Sequence, residues 1–496
     1  MKIKLTDLFR LGFILLFVIV LFNCKKEMGS KTGPLVIKDT SIVNRFIYNG
    51  LQTYYLWEDS IPNLKAAKYN NADTLNAYLN SYNDPQKFFT SLLYKNTTVD
   101  KWSFLVNNST TITNWIQGIS KTMGYDFWYS QLGTSSNVII IVKYVFKGSP
   151  AEKAGLKRGD LFLQVSGTQL TLSNYEQLLL NNLTTYTLSM ASISGNSVSL
   201  NGKTLTMTAV TMQENPILMD TVFTLGTNKV GYLVYNSFNS DYDLQLNQVF
   251  QDFKSAGINK LIVDLRYNGG GSVQTATYLA SMIYGTATSK VFYTEQYNPG
   301  FQAQIVSAYG TASLSTNFSS QILATTTTAA APINTLNLTD LYVIMTHNTA
   351  SASELLINGL TPYMNVFKVG NNKVGKYVAS ATIQDWTDNQ GTVNPKDPYV
   401  MQPIIVRIAN SQGVTNFRNG LTPDFTIEED ASNLIAFGNP NETLLSPVLK
   451  KIQGFPLSSV SLKSTQPLLK KLGGLQTHQI YSQSMYINNF KKIPVK

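Results

Sequence analysis

From residue 228 onward the chain alternates between β-branched runs and helical periodicity, and this alternation constrains the fold more than any other feature. Segments 230–235 and 261–265 read as strands, and between them 242–256 places Leu244, Leu246, Val249, Phe250 and Phe253 at helical spacing. Strands at 341–345 and 366–369 flank a helical run at 352–360, and 444–452 reads as a closing helix. Strands separated by helices specify an α/β layer. With 43% hydrophobic and 14% charged residues in 496, the chain has enough apolar surface for a large core. The stretch 296–335 is rich in Ser, Thr and Ala, with Thr325–Thr328 before Ala329–Ala331, and reads as a surface insertion.

Two regions precede this layer. From 39 to 108 the pattern is helical and aromatic, with Val43, Phe46, Ile47, Leu51, Tyr54, Tyr55 and Trp57 at three- and four-residue steps, so a small helical domain is expected. From 109 to 212 the chain looks β-rich. A β-branched run at 138–142 is followed by Gly148-Ser-Pro-Ala-Glu-Lys-Ala-Gly-Leu-Lys-Arg-Gly-Asp160, in which Pro150 suits the first turn of a short helix and Gly155 its cap. The α/β layer takes 213–453, and 454–496 is a Lys- and Tyr-rich tail without a readable motif.

The N-terminus carries Lys2, Lys4 and Arg10 ahead of an apolar stretch at 11–22 that is short for a membrane span and suits an export signal. It ends at Leu21-Phe22-Asn23-Cys24, so that 1–23 reads as a leader and 24–38 as a polar tether. An uncleaved anchor or an ordinary signal peptide is the alternative, and each reading exports the chain. Cys24 is the single cysteine, which leaves no internal disulfide, and with only His347 and His478 a zinc site is not expected. The net charge of +10 is scattered without a basic stripe, so nucleic-acid binding is not expected either.

The chemistry concentrates at three places. Ser351-x-x-Glu354 heads the 352–360 run and fits a capping box, a purely structural reading. The same geometry puts a hydroxyl where free N–H groups and the helix dipole favour negative charge, which is what an attacked carbonyl needs. Ala352 would supply one such N–H. The turn Asp264-Leu-Arg-Tyr-Asn-Gly-Gly-Gly271 would bring a second from Gly270 or Gly271, each donor of this kind being worth roughly 3–4 kcal/mol. Lys376 lies 25 positions after Ser351 and follows Gly375; exposed it would be a surface lysine, buried among apolar groups it could serve as the base for Ser351. His347 leaves a Ser–His alternative open.

Taken together, a strand ending in Asp-Leu-Arg-x-Asn-x-Gly-Gly, then Ser-Ala-Ser-Glu, then Val-Gly-x-x-x-x-Gly-Lys, resembles the C-terminal processing peptidases (tail-specific proteases, peptidase family S41) over about 110–450. The 138–167 block is similar to their PDZ domain. The resemblance implies a ClpP/crotonase-like α/β core with an inserted β-rich PDZ domain and a small N-terminal helical domain. It implies Ser351 as nucleophile, Lys376 as base, Gly270 and Ala352 as oxyanion donors, and no cofactor. Many members carry a glutamine four residues after the lysine; Ser380 stands there, with Gln384 the next candidate to support the amine. The peptide-binding loop of the PDZ would fall at Met123, Gly124, Tyr125 and Phe127, holding the free C-terminus of a protein substrate; a PDZ that merely props the core is the alternative. Cys24 matches a bacterial lipoprotein signal, which implies lipid attachment and an envelope location. The rival from another class is a peptide-binding scaffold that keeps the fold without hydrolysis.

Overall fold

The computed structural model describes residues 39–457, apart from 70, 182, 183, 196, 372, 373, 389, 390, 416 and 432, together with 469–474 and 483–488. The leader, tether and Cys24 lie outside the described residues.

The described residues from Thr40 onward form one compact unit. Its centre is a six-stranded sheet ordered Ile217–Leu225, Asn228–Tyr235, Lys260–Asp264, Asp340–Met345, Asn365–Gly370, Phe425–Thr426. The first pair is antiparallel and the rest are parallel. Parallel neighbours need helical crossovers, and Asp243–Ser255, Val273–Tyr284 and Ala352–Leu360 provide them. Strands buried on both faces read as continuous apolar runs: in Lys260–Asp264 the last four residues are buried, and in Asn228–Tyr235 the last six. This is the alternation predicted from sequence, with element ends shifted by one to three residues.

A second six-stranded sheet lies beside the site. It runs Gly270–Ser272, Ser484–Tyr486, Val378–Ser380, Ile404–Asn410, Val291–Tyr297, Ser315–Asn317. Two of its members overturn expectations. The tail, without a readable motif, supplies an interior strand here. The 296–335 segment is also more than a surface insertion: the Asn298 side chain caps Pro299–Tyr309, and Phe301 and Ile305 of that helix are buried in the main core. The Ser/Thr/Ala composition hid a few apolar anchors placed at helical spacing.

The N-terminal helices Asp39–Tyr54, Ala72–Asn80 and Pro85–Ser91 bury Phe46, Tyr54, Tyr55, Phe88 and Phe89. These rings belong to the same hydrophobic cluster as Leu233, Val263, Leu356 and Ile405 of the sheets. The expected small domain is therefore continuous with the core. Leu56 N–H donates to Ile404 O, and Phe104–Val106 pairs with Val400–Gln402.

The β-rich region has its own core of Phe127, Ile140, Val142, Phe162, Leu188 and neighbours. Antiparallel pairing of Ile119–Thr122 with Val210–Gln213 closes the base of this insertion. Its sheet is ordered Leu469–Gly474, Tyr125–Leu132, Val138–Val145, Leu161–Val165, Thr185–Ser194, Ser197–Thr208, so the tail adds a strand here too.

Candidate active site

The site begins at the end of the Lys260–Asp264 strand, where the chain must turn under the sheet. Asp264 anchors the turn: its carboxylate accepts from Arg266 Nε at 2.9 and 3.0 Å and from Tyr232 Oη at 2.8 Å. The fully buried Arg266 guanidinium also reaches Glu429 at 2.7 Å and Glu442 at 2.6 Å. Arg158, from the inserted region, bonds Tyr267 Oη at 2.8 Å and pairs with Glu429. Burial alone would raise Glu429, but Arg158 and Arg266 hold its carboxyl down at about 2. The Asp-Leu-Arg motif thus locks the turn and ties it to the insertion.

Asn268 then links turn to serine loop. Its Nδ2 donates to Tyr235 O at 2.9 Å, its Oδ1 accepts from Gly270 N–H at 2.9 Å, and its carbonyl accepts from Ala350 N–H and Ser353 Oγ, both at 3.1 Å. Thr349 Oγ1 donates to Leu265 O at 2.7 Å. At Gly270 a side chain has no room: with φ +111, a Cβ would lie 2.3 Å from Ser484 O and 2.7 Å from Ser351 Cβ.

Ser351 precedes the helix Ala352–Leu360 with φ 67 and ψ −114, a backbone conformation that costs a non-glycine residue about 1–3 kcal/mol. Glu354 holds it there. Ser351 N–H donates to Glu354 Oε2 at 2.9 Å, the carboxylate arm of the capping box. Ser351 Oγ lies toward the Glu354 N–H in capping-box fashion, outside hydrogen-bonding geometry, and has no partner.

The same carboxylate reaches across to the lysine. Glu354 Oε1 accepts from Gly375 N–H and Oε2 from Lys376 N–H, each at 2.8 Å. A single buried carboxylate therefore fixes the backbones of Ser351 and Lys376, brought together from 25 residues apart. Gly375 has φ +70 and packs against the Arg418 carbonyl, where a Cβ would come within 2.3 Å.

Lys376 is 2% exposed. Burial pushes its amine down to about 7, against the opposing pull of Asp100 and Glu354. The Nζ sits 5.1 Å from the centre of the Trp102 ring and donates to Gln483 O at 2.8 Å. An amine titrating there is partly neutral at physiological pH and able to accept a proton.

Several expectations need correction. Ser380 does not support the amine: its Oγ donates to Met485 O at 3.2 Å and accepts from Gln402 Nε2 at 3.1 Å, because its strand faces the tail. Gln384 pairs with Val400 in a separate sheet and makes no bond to Lys376, whose acceptor is Gln483 O. Gly270 N–H is taken by Asn268; of the other amides of the expected set, Gly271 N–H faces the parallel strand Ser484–Tyr486 and Ala352 N–H heads the helix Ala352–Leu360. His347 is exposed and lines a small cavity with Trp128, Glu428 and Lys471; Ser351 Oγ has no bond to it. In the loop Met123, Gly124, Tyr125 and Phe127, the N–H of Gly124 donates to Thr122 Oγ1 at 2.9 Å and that of Phe127 to Asp126 Oδ1 at 2.6 Å. Asp126 pairs with the buried Lys143 at 2.5 Å and the Tyr125 hydroxyl bonds that of Tyr186 at 2.9 Å, so this loop is closed on itself.

Sequence reasoning missed Trp102, Asp100, Asn268 and Gln483. Asp100 is buried, accepting from Tyr55 Oη at 2.6 Å and from the N–H groups of Trp102 and Ser103. Trp102 and Gln483 lie 274 and 107 residues from Lys376, and no local pattern announces them. Asn268 lay inside the quoted glycine motif, where an Asn before glycines was the available signal.

Comparison with known proteins agrees with this architecture. Residues 229–427 match the profile described as Peptidase family S41, 43–104 the Peptidase S41 N-terminal domain, and 141–184 a PDZ domain. The C-terminal processing peptidase of Tetradesmus obliquus chloroplasts is 24% identical over 328 residues, covering 64% of this chain and 61% of that protein. The carboxyl-terminal-processing protease of a Picosynechococcus species is 26% identical over 237 residues, covering 46% of this chain and 49% of that protein. The chain thus spans 61% and 49% of the length of these curated relatives. A solved Bacteroides fragilis chain assigned to the S41 proteases superposes with a TM-score of 0.63 at 24% identity, covering 82% of this chain and 97% of that one, and shows the shared fold. With three adjoining profiles of one domain set on one compact unit, the chain belongs to peptidase family S41.

Proposed function

We propose that this protein is an exported serine endopeptidase that hydrolyses peptide bonds of unfolded or envelope proteins with Ser351 and Lys376. The observation that carries this reading is the Glu354 carboxylate, which holds the backbones of a strained serine and of a buried lysine whose amine titrates at about 7. Ser351 Oγ attacks the substrate carbonyl carbon as neutral Lys376 Nζ takes the hydroxyl proton. Ala352 N–H at the helix N-terminus and Gly271 N–H stabilise the tetrahedral oxyanion. The protonated amine then gives its proton to the leaving nitrogen, and water hydrolyses the acyl group from Ser351 by the reverse sequence. The inserted PDZ region presents the substrate C-terminus or gates the cleft, and Cys24 carries a lipid that holds the protein at the envelope membrane.

The test is cleavage of β-casein by residues 25–496 beside Ser351→Ala and Lys376→Ala. Joint loss of activity in both variants supports the pair. Loss in Ser351→Ala alone returns attention to another base, and an inert parent supports the non-catalytic scaffold. That second reading has one observation in its favour, since Ser351 Oγ is fully buried and unpartnered. Loss of membrane association in Cys24→Ser tests the anchor.

A further inference from the structure

The groups assembled for chemistry are covered by the chain's own tail. Ser484–Tyr486 runs parallel to Gly270–Ser272 on one side and lies next to Val378–Ser380, the strand after Lys376, on the other. Ser484 N–H donates to Gly269 O and Ile487 N–H to Ser380 O, each at 3.0 Å. Gln483 O accepts from the Lys376 amine, and Ser484 O lies against Gly270, beside Ser351 Cβ. Gly270 O and Ser272 N–H face Phe238 instead. By the alternation of a strand, Gly271 N–H faces the tail, the direction from which a substrate carbonyl must approach. Beyond this point Ser272 Oγ donates to Asn488 Oδ1 at 2.6 Å, and Ile487 and Asn488 border a cavity of about 460 Å³ with Val273, Tyr278 and Glu295.

Resting on the peptidase reading for where substrate reacts, we propose that Gln483–Asn488 is a tethered peptide ligand of the catalytic cleft. It takes the path of an extended substrate between the glycine and lysine strands, and substrate enters by displacing it. Its sequence, Gln-Ser-Met-Tyr-Ile-Asn, is then a guide to what the cleft accepts: a small residue at Gly270, an apolar one buried like Met485, an aromatic one against Trp115 like Tyr486. Main-chain hydrogen bonds on both sides make the cleft a receptor for extended peptide in general.

The test removes chemistry, so that it reads the cleft even if the peptidase reading fails. In full-length Ser351→Ala protein, binding of a fluorescein-labelled peptide of sequence 481–490 is followed by anisotropy, with and without Ser484→Pro and Met485→Asp in the tail. A tethered competitor at an effective concentration on the order of 1 mM, against a free peptide binding at ~10 µM, predicts about 100-fold tighter capture once the tail is disabled. Equal affinity in both proteins, or no binding by a tail-disabled protein that retains a cooperative melt, overturns the proposal. A second measurement guards against misfolding of that variant. In full-length Cys24→Ser, Ser484→Cys protein, thiol modification should be slow alone and accelerate saturably with added peptide. A rate indifferent to peptide overturns the proposal. Failure of β-casein hydrolysis, by contrast, counts only against the peptidase reading.

Discussion

The tail adds a strand in two places, and the two additions differ in kind. Leu469–Gly474 lies antiparallel to Tyr125–Leu132 at the edge of the PDZ sheet, bonded on one side only. Lys471 sits 3.9 Å over the Trp128 ring, and Lys470 and Lys471 are exposed. Ser484–Tyr486 is an interior strand, with neighbours on both sides, Met485 1% exposed and Tyr486 packed 5.5 Å from Trp115. An edge strand is a replaceable guest, since its loss uncovers one row of backbone groups to water. An interior strand is held on both sides, and displacing it uncovers two rows that an incoming extended peptide would have to satisfy again. The pairing geometry at the PDZ edge is the one a peptide ligand would use. The region that looks like the peptide receptor is thus the more easily vacated, and the place between the glycine and lysine strands is the more firmly filled.

The largest effect should come where neither strand is involved. Glu354→Ala removes an acceptor from Ser351, Gly375 and Lys376 N–H together. At about 1.5–3 kcal/mol for each charged hydrogen bond, casein cleavage should fall by at least ~10³-fold and the melting temperature should drop. Glu354→Gln, which keeps an acceptor oxygen, should recover part of both. A variant with normal activity would remove the link between serine and lysine on which the site rests.

Next, the two tail strands can be weighed directly by denaturant unfolding. Met485→Ala should cost about 2–5 kcal/mol as a buried deletion, and Leu469→Ala under ~1 kcal/mol. Equal costs would erase the distinction between guest and core strand. The pH profile sharpens it further. With the Lys376 amine depressed to about 7 by burial, kcat/KM should rise through pH 7 to a plateau as the amine loses its proton. Trp102→Ala admits water to the amine and should move that ascending limb to higher pH.

The smallest effect at neutral pH concerns the joint between the insertion and the core. Glu429 is held at about 2, below its usual 4.5, so its contribution to stability is complete above about pH 4.5 and is lost as pH falls toward 2. Arg158→Met should flatten that acid limb of the stability curve while changing the activity of folded protein little. An unchanged limb would mean that Arg266 alone sets Glu429.

Much of this was legible from local chemistry. The helix Ala352–Leu360, its serine cap and the strand before the glycines follow from periodicity and capping, which act over a few residues. Ser351, Lys376 and Ala352 could be named because each stands inside a short motif, and so could Gly270, although its amide turned out to be claimed by Asn268. The roles that failed were those that depend on neighbours distant in sequence. Ser380 and Gln384 were placed by their spacing from Lys376, yet strand pairing turns one toward Met485 and sets the other in a different sheet. Glu354 was visible only as a helix cap, because its second and third partners lie 21 and 22 residues away.

The sequence by itself determined the α/β layer, the order of the three regions and the short motifs that carry Ser351 and Lys376. These are written in period, turn residues and motif, all short-range properties. Only the tertiary structure decided the state of those groups: an amine brought near neutrality by burial against Trp102, a glycine amide claimed by Asn268, and a tail seated in the cleft. Burial and strand pairing are set by which distant segments meet, and a linear pattern carries no record of that meeting.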